Sequence, residues 1–256
     1  SVACSLFLNR NLHAERTAIA PRDRVPGPGS RVPGPGFLTM SNSDAPNDKP
    51  HRAIKSYVLR QGRTTDAQRE ALARDWPRFG VDWPQPQAAP AVWFGSARPV
   101  VVEIGFGNGE ALAAAAAADP ARSYLGIEVH RPGVGRVLRD IAARGLDNVR
   151  VISADAVEVL REGIAPGSLD EVRLYFPDPW HKARHNKRRI VQTPFVELVA
   201  SRLRPGGIFH LATDWEAYAL WMREVLDPSP LFRNTGGESG FVERPAGRIE
   251  THFERR

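Results

Sequence analysis

Five acids recur from position 103 onward in this chain, each at the close of a short apolar run: Glu103, Glu128, Asp155, Asp178 and Asp214. Carboxylates accept from N–H and O–H donors and attract cations, so a row of them suits a hydroxylated ligand that carries positive charge. The first belongs to Glu103-Ile104-Gly105-Phe106-Gly107-Asn108-Gly109, which follows Val100-Val101-Val102 and leads into an Ala-rich run ending at Ala118. That pattern predicts a buried parallel strand, a glycine turn and a helix start. The turn presents backbone N–H groups to a nucleotide-like ligand. A dinucleotide turn has Gly-x-Gly-x-x-Gly. Here the glycines are Gly105, Gly107 and Gly109, with Glu110 next, and Glu103 would repel a pyrophosphate. An NAD enzyme is disfavoured, and S-adenosylmethionine is the expected ligand.

Each acid has a task in such a site. Glu128 lies 19 positions beyond Gly109, where a ribose-binding carboxylate belongs. Asp155 is placed to accept from an adenine amino group, beside the Ala154 and Ala156 backbone. Glu103 is placed to orient water or the methionine ammonium, and Asp178 to face the transferring methyl and its acceptor. In Phe176-Pro177-Asp178-Pro179-Trp180 two prolines stiffen a loop that holds an acid and an aromatic at its tip. A flat base suits it: the ring stacks, and the carboxylate accepts from the two adjacent donors that guanine alone offers. The run His181 to Arg189 follows, with Lys182, Arg184, Lys187, Arg188, Arg189, two histidines and no acid. Beside the acceptor loop it reads as a phosphate-binding strip, which the basic segment from Arg52 to Arg78 extends.

These residues need a frame that brings them to one edge. Strands are predicted at 100–104, 123–128, 149–153, 171–176 and 207–212. Helices are predicted at 109–118, 132–144, 156–162, 188–203 and 215–226. The alternation is that of a doubly wound, mostly parallel α/β sheet with helices on both faces and right-handed crossovers. In such sheets ligands bind outside the carboxyl ends of the strands. Two further short strands are expected at 231–234 and 248–254, the last inserted antiparallel to complete seven. Thr64 or Thr65 is expected to cap a helix through Arg74. Asp75 to Pro99, with Trp76, Trp83 and Trp93, reads as an irregular strap packed by its aromatics.

The chain has 256 residues, a formal net charge of +6 and a pI of about 10.0, which points to a polyanionic partner. One cysteine, Cys4, excludes an internal disulfide and a thiolate metal site, so no metal is predicted and a reducing compartment is expected. No apolar run approaches the roughly 20 residues that span a bilayer, and Leu6-Phe7-Leu8 is too short for a secretory core. The expected location is the cytoplasm, with no membrane partner. Residues 1–50, with Arg-Val-Pro-Gly-Pro-Gly at Arg24 to Gly29 and again at Arg31 to Gly36, are expected to be disordered. Met40 opens a polar stretch, so residues 1–39 are expected to lie upstream of the natural start. Residues 51–256 are expected to form one domain, with 51–98 its basic extension.

Five segments resemble the bacterial tRNA (guanine-N7)-methyltransferase family: Lys55 to Arg63 (Lys-Ser-Tyr-Val-Leu-Arg-Gln-Gly-Arg), Glu103 to Gly109, Gly126-Ile127-Glu128-Val129-His130, Phe176 to Lys182, and Thr251-His252-Phe253-Glu254. The resemblance spans about residues 51–256. It implies a seven-stranded Rossmann-like methyltransferase sheet and transfer of a methyl group from S-adenosylmethionine to N7 of a guanine in the tRNA variable loop. It further implies a donor site of Glu103, Glu128, Asp155 and Asp178, with Asp178 the active-site residue. A guanine and tRNA site of Lys182, Asp214, Thr251, His252, Phe253 and Glu254 is implied as well. Members are monomers or homodimers, and either state is open here. The competing readings are a non-catalytic RNA-binding module on the same fold and a methyltransferase with another acceptor.

Overall fold

A computed structural model describes residues 4–11, 56–57, 64–245, 247–251 and 254. In chain order its elements are β1 (Cys4–Arg10), α1 (Asp66–Phe79), α2 (Ala91–Phe94), β2 (Val100–Ile104), α3 (Glu110–Ala118), β3 (Ser123–Ile127), α4 (Arg131–Ala143), β4 (Val149–Ile152), α5 (Ala156–Glu158, continued by a π-turn over Val159–Gly163), β5 (Leu169–Tyr175), a 3-10 segment Ala183–Arg188, α6 (Thr193–Arg202), β6 (Leu203–Thr213), α7 (Glu216–Leu226), β7 (Phe232–Asn234) and a 3-10 turn Gly237–Ser239.

The strands form one sheet in the order β4-β3-β2-β5-β6-β1-β7. Strands β4 to β6 pair in parallel, and β1 is antiparallel to both β6 and β7. The chain runs outward from β2 through β3 to β4, then returns to start β5 on the other side of β2. The carboxyl ends of β2 and β5 are therefore the switch point of the sheet, where its connections part to opposite faces and leave a crevice. Every residue of β2 is buried, as both faces of a parallel strand require. Val102, Leu125, Val172 and Phe209 fill one face with Leu6 and Leu8; Val101, Tyr124 and Val151 fill the other with Val137, Leu138 and Ile141 of α4.

Helix α1 begins at the expected cap. The Thr65 side chain accepts from the Gln68 backbone N–H and the Gln68 side chain from that of Thr65, a reciprocal capping box. The helix runs five residues past Arg74 to Phe79, because Ala71, Asp75 and Phe79 recur every four positions on its buried side. The strap is irregular only from Gly80 onward, and it contains α2.

Four expectations need correction. Cys4–Arg10, assigned to a disordered tail, is a strand inside the sheet. Leu6 and Leu8 are 2% and 1% exposed, and Phe7 lies on the opposite face with its ring 4.0 Å from that of His210. The three apolar residues thus serve both faces of a buried strand, a pattern masked by the Pro-Gly repeats nearby. The remaining described residue of 1–50 is Asn11; the rest, with Met40, lie outside the described residues. The antiparallel insertion is β1, so 248–254 contributes no strand among its described residues. The single helix expected at 188–203 is two pieces, the 3-10 segment and α6, since Pro194 fits only the first turn of a helix. Strand β6 also starts earlier than expected, with Pro205-Gly206-Gly207 as an irregularity between the pairs Leu169–Leu203 and Glu171–Ile208.

Candidate functional site

The glycine turn joins β2 to α3. Gly105, Gly107 and Gly109 all have left-handed backbone, with φ of 67°, 58° and 79°, which side chains with a Cβ rarely adopt. A Cβ built on Gly105 or Gly107 meets nothing within 4 Å, so both backbones border open space. The turn is held from β3. The Glu128 carboxylate accepts from Gly107 N at 2.8 Å, Val129 N at 2.8 Å and His130 N at 2.9 Å. Gly133 lets α4 approach, since a Cβ there would stand 2.1 Å from the Gly107 carbonyl oxygen. Asp155 caps α5, its Oδ1 accepting from Val157 N at 2.9 Å.

Two adjoining cavities occupy the crevice. One, of about 190 Å³, is lined by Gly105, Glu128, Asp155, Ala156, Asp178 and the described pair Ser56 and Tyr57, among others. The second, of about 250 Å³, is lined by Glu103, Gly107, Gly109, His130 and Thr251, among others. Gly105, Tyr175 and Phe176 border both. The crevice therefore gathers every donor-site residue expected from the sequence. Glu103 is 2% exposed, and burial pushes its carboxyl up to about 7 against the pull of Arg173. Its Oε2 has no hydrogen-bond partner among the described residues.

The acceptor loop starts where β5 ends. Phe176 and Trp180 have φ of 51° and 49°, left-handed backbone that bulky residues hold only when their surroundings impose it. The surroundings here are specific. Phe176 N donates to the Ala212 carbonyl at 2.8 Å, Trp180 Nε1 to the Ser56 carbonyl at 3.1 Å, and Arg189 Nε to the Pro179 carbonyl at 2.9 Å. Arg188 lies 4.9 Å from the centre of the Trp180 ring, and the His185 ring meets it edge-on at 5.9 Å. The indole that the sequence offered to a base has its N–H and a ring contact already engaged, and through them it braces the loop. The expectation for Arg189 is corrected. It is 6% exposed and stacked on Tyr218 and Trp221, turned inward because its guanidinium holds the loop carbonyl. Lys182, Arg184, Lys187 and Arg188 remain exposed. Lys187 and Arg188 line a groove of about 820 Å³ that shares Ser56 and Asp155 with the first cavity.

The C-terminal segment closes the second cavity by a device not visible in sequence spacing. Arg248 and Glu254 form a buried bidentate pair, at 2.8 and 2.6 Å. Glu254 Oε2 also accepts from Thr251 N and Oγ1. Burial opposes ionisation of Glu254, but Arg248 and Thr251 hold its carboxyl below the ordinary carboxylate range. Arg248 lies over the Tyr175 and Phe176 rings, at 5.4 and 5.7 Å. Thus Thr251 reaches the crevice, while Glu254 is spent on fixing the segment. His252 and Phe253 lie outside the described residues. Asp214 is exposed at the end of β6 and Lys182 on the basic segment, and neither lines a crevice cavity. Behind the crevice the Tyr175 hydroxyl is 2.8 Å from His210 Nδ1, and burial, reinforced by Arg173 and Arg248, drives His210 down to about 3. Tyr175 and Phe176, which border both cavities, and Arg248, which lies over their rings, were not among the candidate site residues expected from the sequence. An aromatic pair before Pro177 was the available signal for the first two.

Among the described residues no group of three or more His, Cys, Asp or Glu side chains is arranged to hold a metal ion. No helix among them is long and apolar enough to cross a membrane. A family model described as "Putative methyltransferase" matches residues 97–256. Among curated relatives, the "tRNA (guanine-N(7)-)-methyltransferase" of Methylococcus capsulatus is 52% identical over 220 residues, covering 85% of this chain and 92% of that protein. The one of Alcanivorax borkumensis is 52% identical over 215 residues, covering 84% and 90%. The one of Xanthomonas euvesicatoria pv. vesicatoria is 54% identical over 209 residues, 82% of this chain, which spans 61% of that longer relative.

Proposed function

This chain belongs to the tRNA (guanine-N(7)-)-methyltransferase family, and on that footing we propose that it transfers a methyl group from S-adenosylmethionine to N7 of a guanine in the variable loop of cytoplasmic tRNA. The observation that carries the reading is the crevice itself: Glu103, the glycine turn, Glu128, Asp155 and Asp178 border two joined cavities at the switch point of the sheet.

The residues suit the donor. Glu103 presents an unpartnered carboxylate oxygen beside the glycine turn, a place for a cationic amino-acid end. Gly105 and Gly107 leave room for a ligand against bare backbone. Glu128 accepts one N–H on Oε2 and two on Oε1, so Oε2 keeps acceptor capacity for a ribose hydroxyl. Asp155 keeps Oδ2 for an adenine amino group, Oδ1 being taken by Val157. When bound, S-adenosylmethionine supplies an electrophilic methyl group on a sulfonium, which is already a good leaving group.

Guanine N7 has a lone pair and no proton, so this chain needs no base at the reacting atom. Its work is alignment, and orientation supplies roughly 7–11 kcal/mol in favourable cases. Asp178, fixed in a loop between two prolines and braced by Trp180 and Arg189, accepts from the guanine N–H donors. It offsets the positive charge that grows on the ring, a preorganised electrostatic role. Lys182, Arg184, Lys187 and Arg188 hold backbone phosphates beside the loop. Because N7 lies on the major-groove edge, the guanine is either accessible there or swung out of its stack to reach the crevice.

Labelled methyl transfer to unmodified tRNA, followed by nucleoside mapping, tests the reading. Label in N7-methylguanosine from the variable loop is expected; unlabelled tRNA, or label in another nucleoside, refutes it.

A further inference from the structure

The acceptor loop carries an aromatic that its own neighbours consume, and a second aromatic beside it remains open. Trp180 spends its indole N–H on the Ser56 carbonyl, and Arg188 lies against its ring. Trp215 is different. It stands at the end of β6, directly after Asp214, and is 43% exposed. Strand β6 is the parallel neighbour of β5, and the bond from Phe176 N to the Ala212 carbonyl, 2.8 Å, ties the root of the acceptor loop three residues from Trp215. The far end of the loop returns to it: His181, three positions after Asp178, meets the Trp215 ring at 4.3 Å and an interplanar angle of 77°. Trp215 N donates to Thr213 Oγ1 at 3.2 Å, which fixes the backbone that bears the ring.

The exposed indole stands at the carboxyl end of β6, next in sequence to the Asp214 carboxylate and in ring contact with His181 of the cationic segment, although it lines neither crevice cavity. It matches what single-stranded nucleic acid requires: cations for the backbone and a π-face for the base. We propose that Trp215 is the platform on which the acceptor guanine stacks once it leaves the tRNA helix, with His181 setting the tilt of the ring and Asp178 reading the base edge. This rests on the guanine-N7 reading above and adds to it the residue that holds the base flat. Trp180, the aromatic that the sequence singled out, acts only through the loop it braces.

The test compares the wild-type chain with W215L and W215F on an unmodified tRNA transcript, with donor affinity measured in parallel by calorimetry. W215L is expected to lose about 10- to 100-fold in kcat/KM for tRNA, the cost of one base–aromatic stack, and W215F to recover to within about threefold of wild type. Donor affinity is expected to be the same in all three. Wild-type kcat/KM in W215L overturns the inference, as does a W215F as impaired as W215L, or weakened donor binding in either, which would mark the indole as structural. Each of those results leaves the guanine-N7 reading intact. A wild-type product without N7-methylguanosine overturns that reading, and this inference with it.

Discussion

The two sides of the crevice are built by opposite means. On the donor side, backbone strain is relieved by composition: left-handed positions fall on Gly105, Gly107 and Gly109, and one carboxylate, Glu128, gathers three N–H groups from the turn and the start of α4. On the acceptor side, left-handed positions fall on Phe176 and Trp180, and the conformation is imposed from outside by Ser56, Arg189 and the β6 edge. A glycine turn is a self-contained pocket that needs only its own strand and the next. The acceptor loop is held by partners spread along the chain, from Arg189, ten positions from Pro179, through Ala212 on β6 to Ser56, 124 positions from Trp180, so its geometry reports whether the whole domain is assembled. The donor site is accordingly expected to tolerate distant substitutions that abolish methyl transfer.

The C-terminal segment spans both sides and offers the largest perturbation. In Arg248→Ala the buried Glu254 carboxylate loses its partner, which costs about 3–5 kcal/mol; urea unfolding measures it. The same substitution removes the cation over the Tyr175 and Phe176 rings at the root of the acceptor loop, so activity is expected to fall more than donor affinity. Asp178→Asn probes the acceptor loop where it borders the donor cavity. It is expected to lower kcat by about 100- to 1000-fold, the usual loss on removing one preorganised electrostatic partner, with tRNA affinity unchanged. Full turnover in that variant would show that the negative charge has no role.

Salt separates the sides without mutation. If Lys182, Arg184, Lys187 and Arg188 each neutralise one phosphate, raising salt from about 50 to 200 mM weakens tRNA binding by about 100-fold, while donor binding in its buried cavity changes little. Equal sensitivity of the two would contradict the division. The smallest effect is a pH dependence of the donor side. Burial raises the Glu103 carboxyl to about 7, so the neutral form is favoured in the free protein. The stability it confers is complete below the ordinary carboxylate range and is lost as pH rises through 7. A cationic donor prefers the ionised form, so its affinity is expected to rise about tenfold from about pH 6 to pH 8, with proton release on binding. Calorimetry in buffers of different ionisation enthalpy measures that release, and Glu103→Gln is expected to abolish it.

What the sequence made legible divides along the same line. Strands β2 to β6 and helices α3, α4 and α7 follow from local period and punctuation, and the five acids follow from the rule that ligands meet strand ends. Glu103, Glu128, Asp155 and Asp178 then arrive in one crevice because they sit on neighbouring strands. The acceptor side was less legible because its partners are remote. Nothing near Trp180 announces that the Ser56 carbonyl takes its N–H, and the charge of Arg189 gives no sign that the side chain turns inward. The pairing of Arg248 with Glu254 is local in sequence but depends on burial under the sheet face, which spacing does not encode. Cys4–Arg10 was hidden for a different reason: seven residues of strand are separated only by residues 11–20 from a Pro- and Gly-rich tract whose composition outweighs them.

A crystal structure of the protein with S-adenosylmethionine or S-adenosylhomocysteine tests most directly whether acids at the strand ends form the donor pocket. The expected density fills the crevice above β2 and β3, with ribose hydroxyls on Glu128, adenine beside Asp155 and the amino-acid end between Glu103 and Thr251. A fully bound nucleoside elsewhere on the molecule, with that crevice empty, would contradict it.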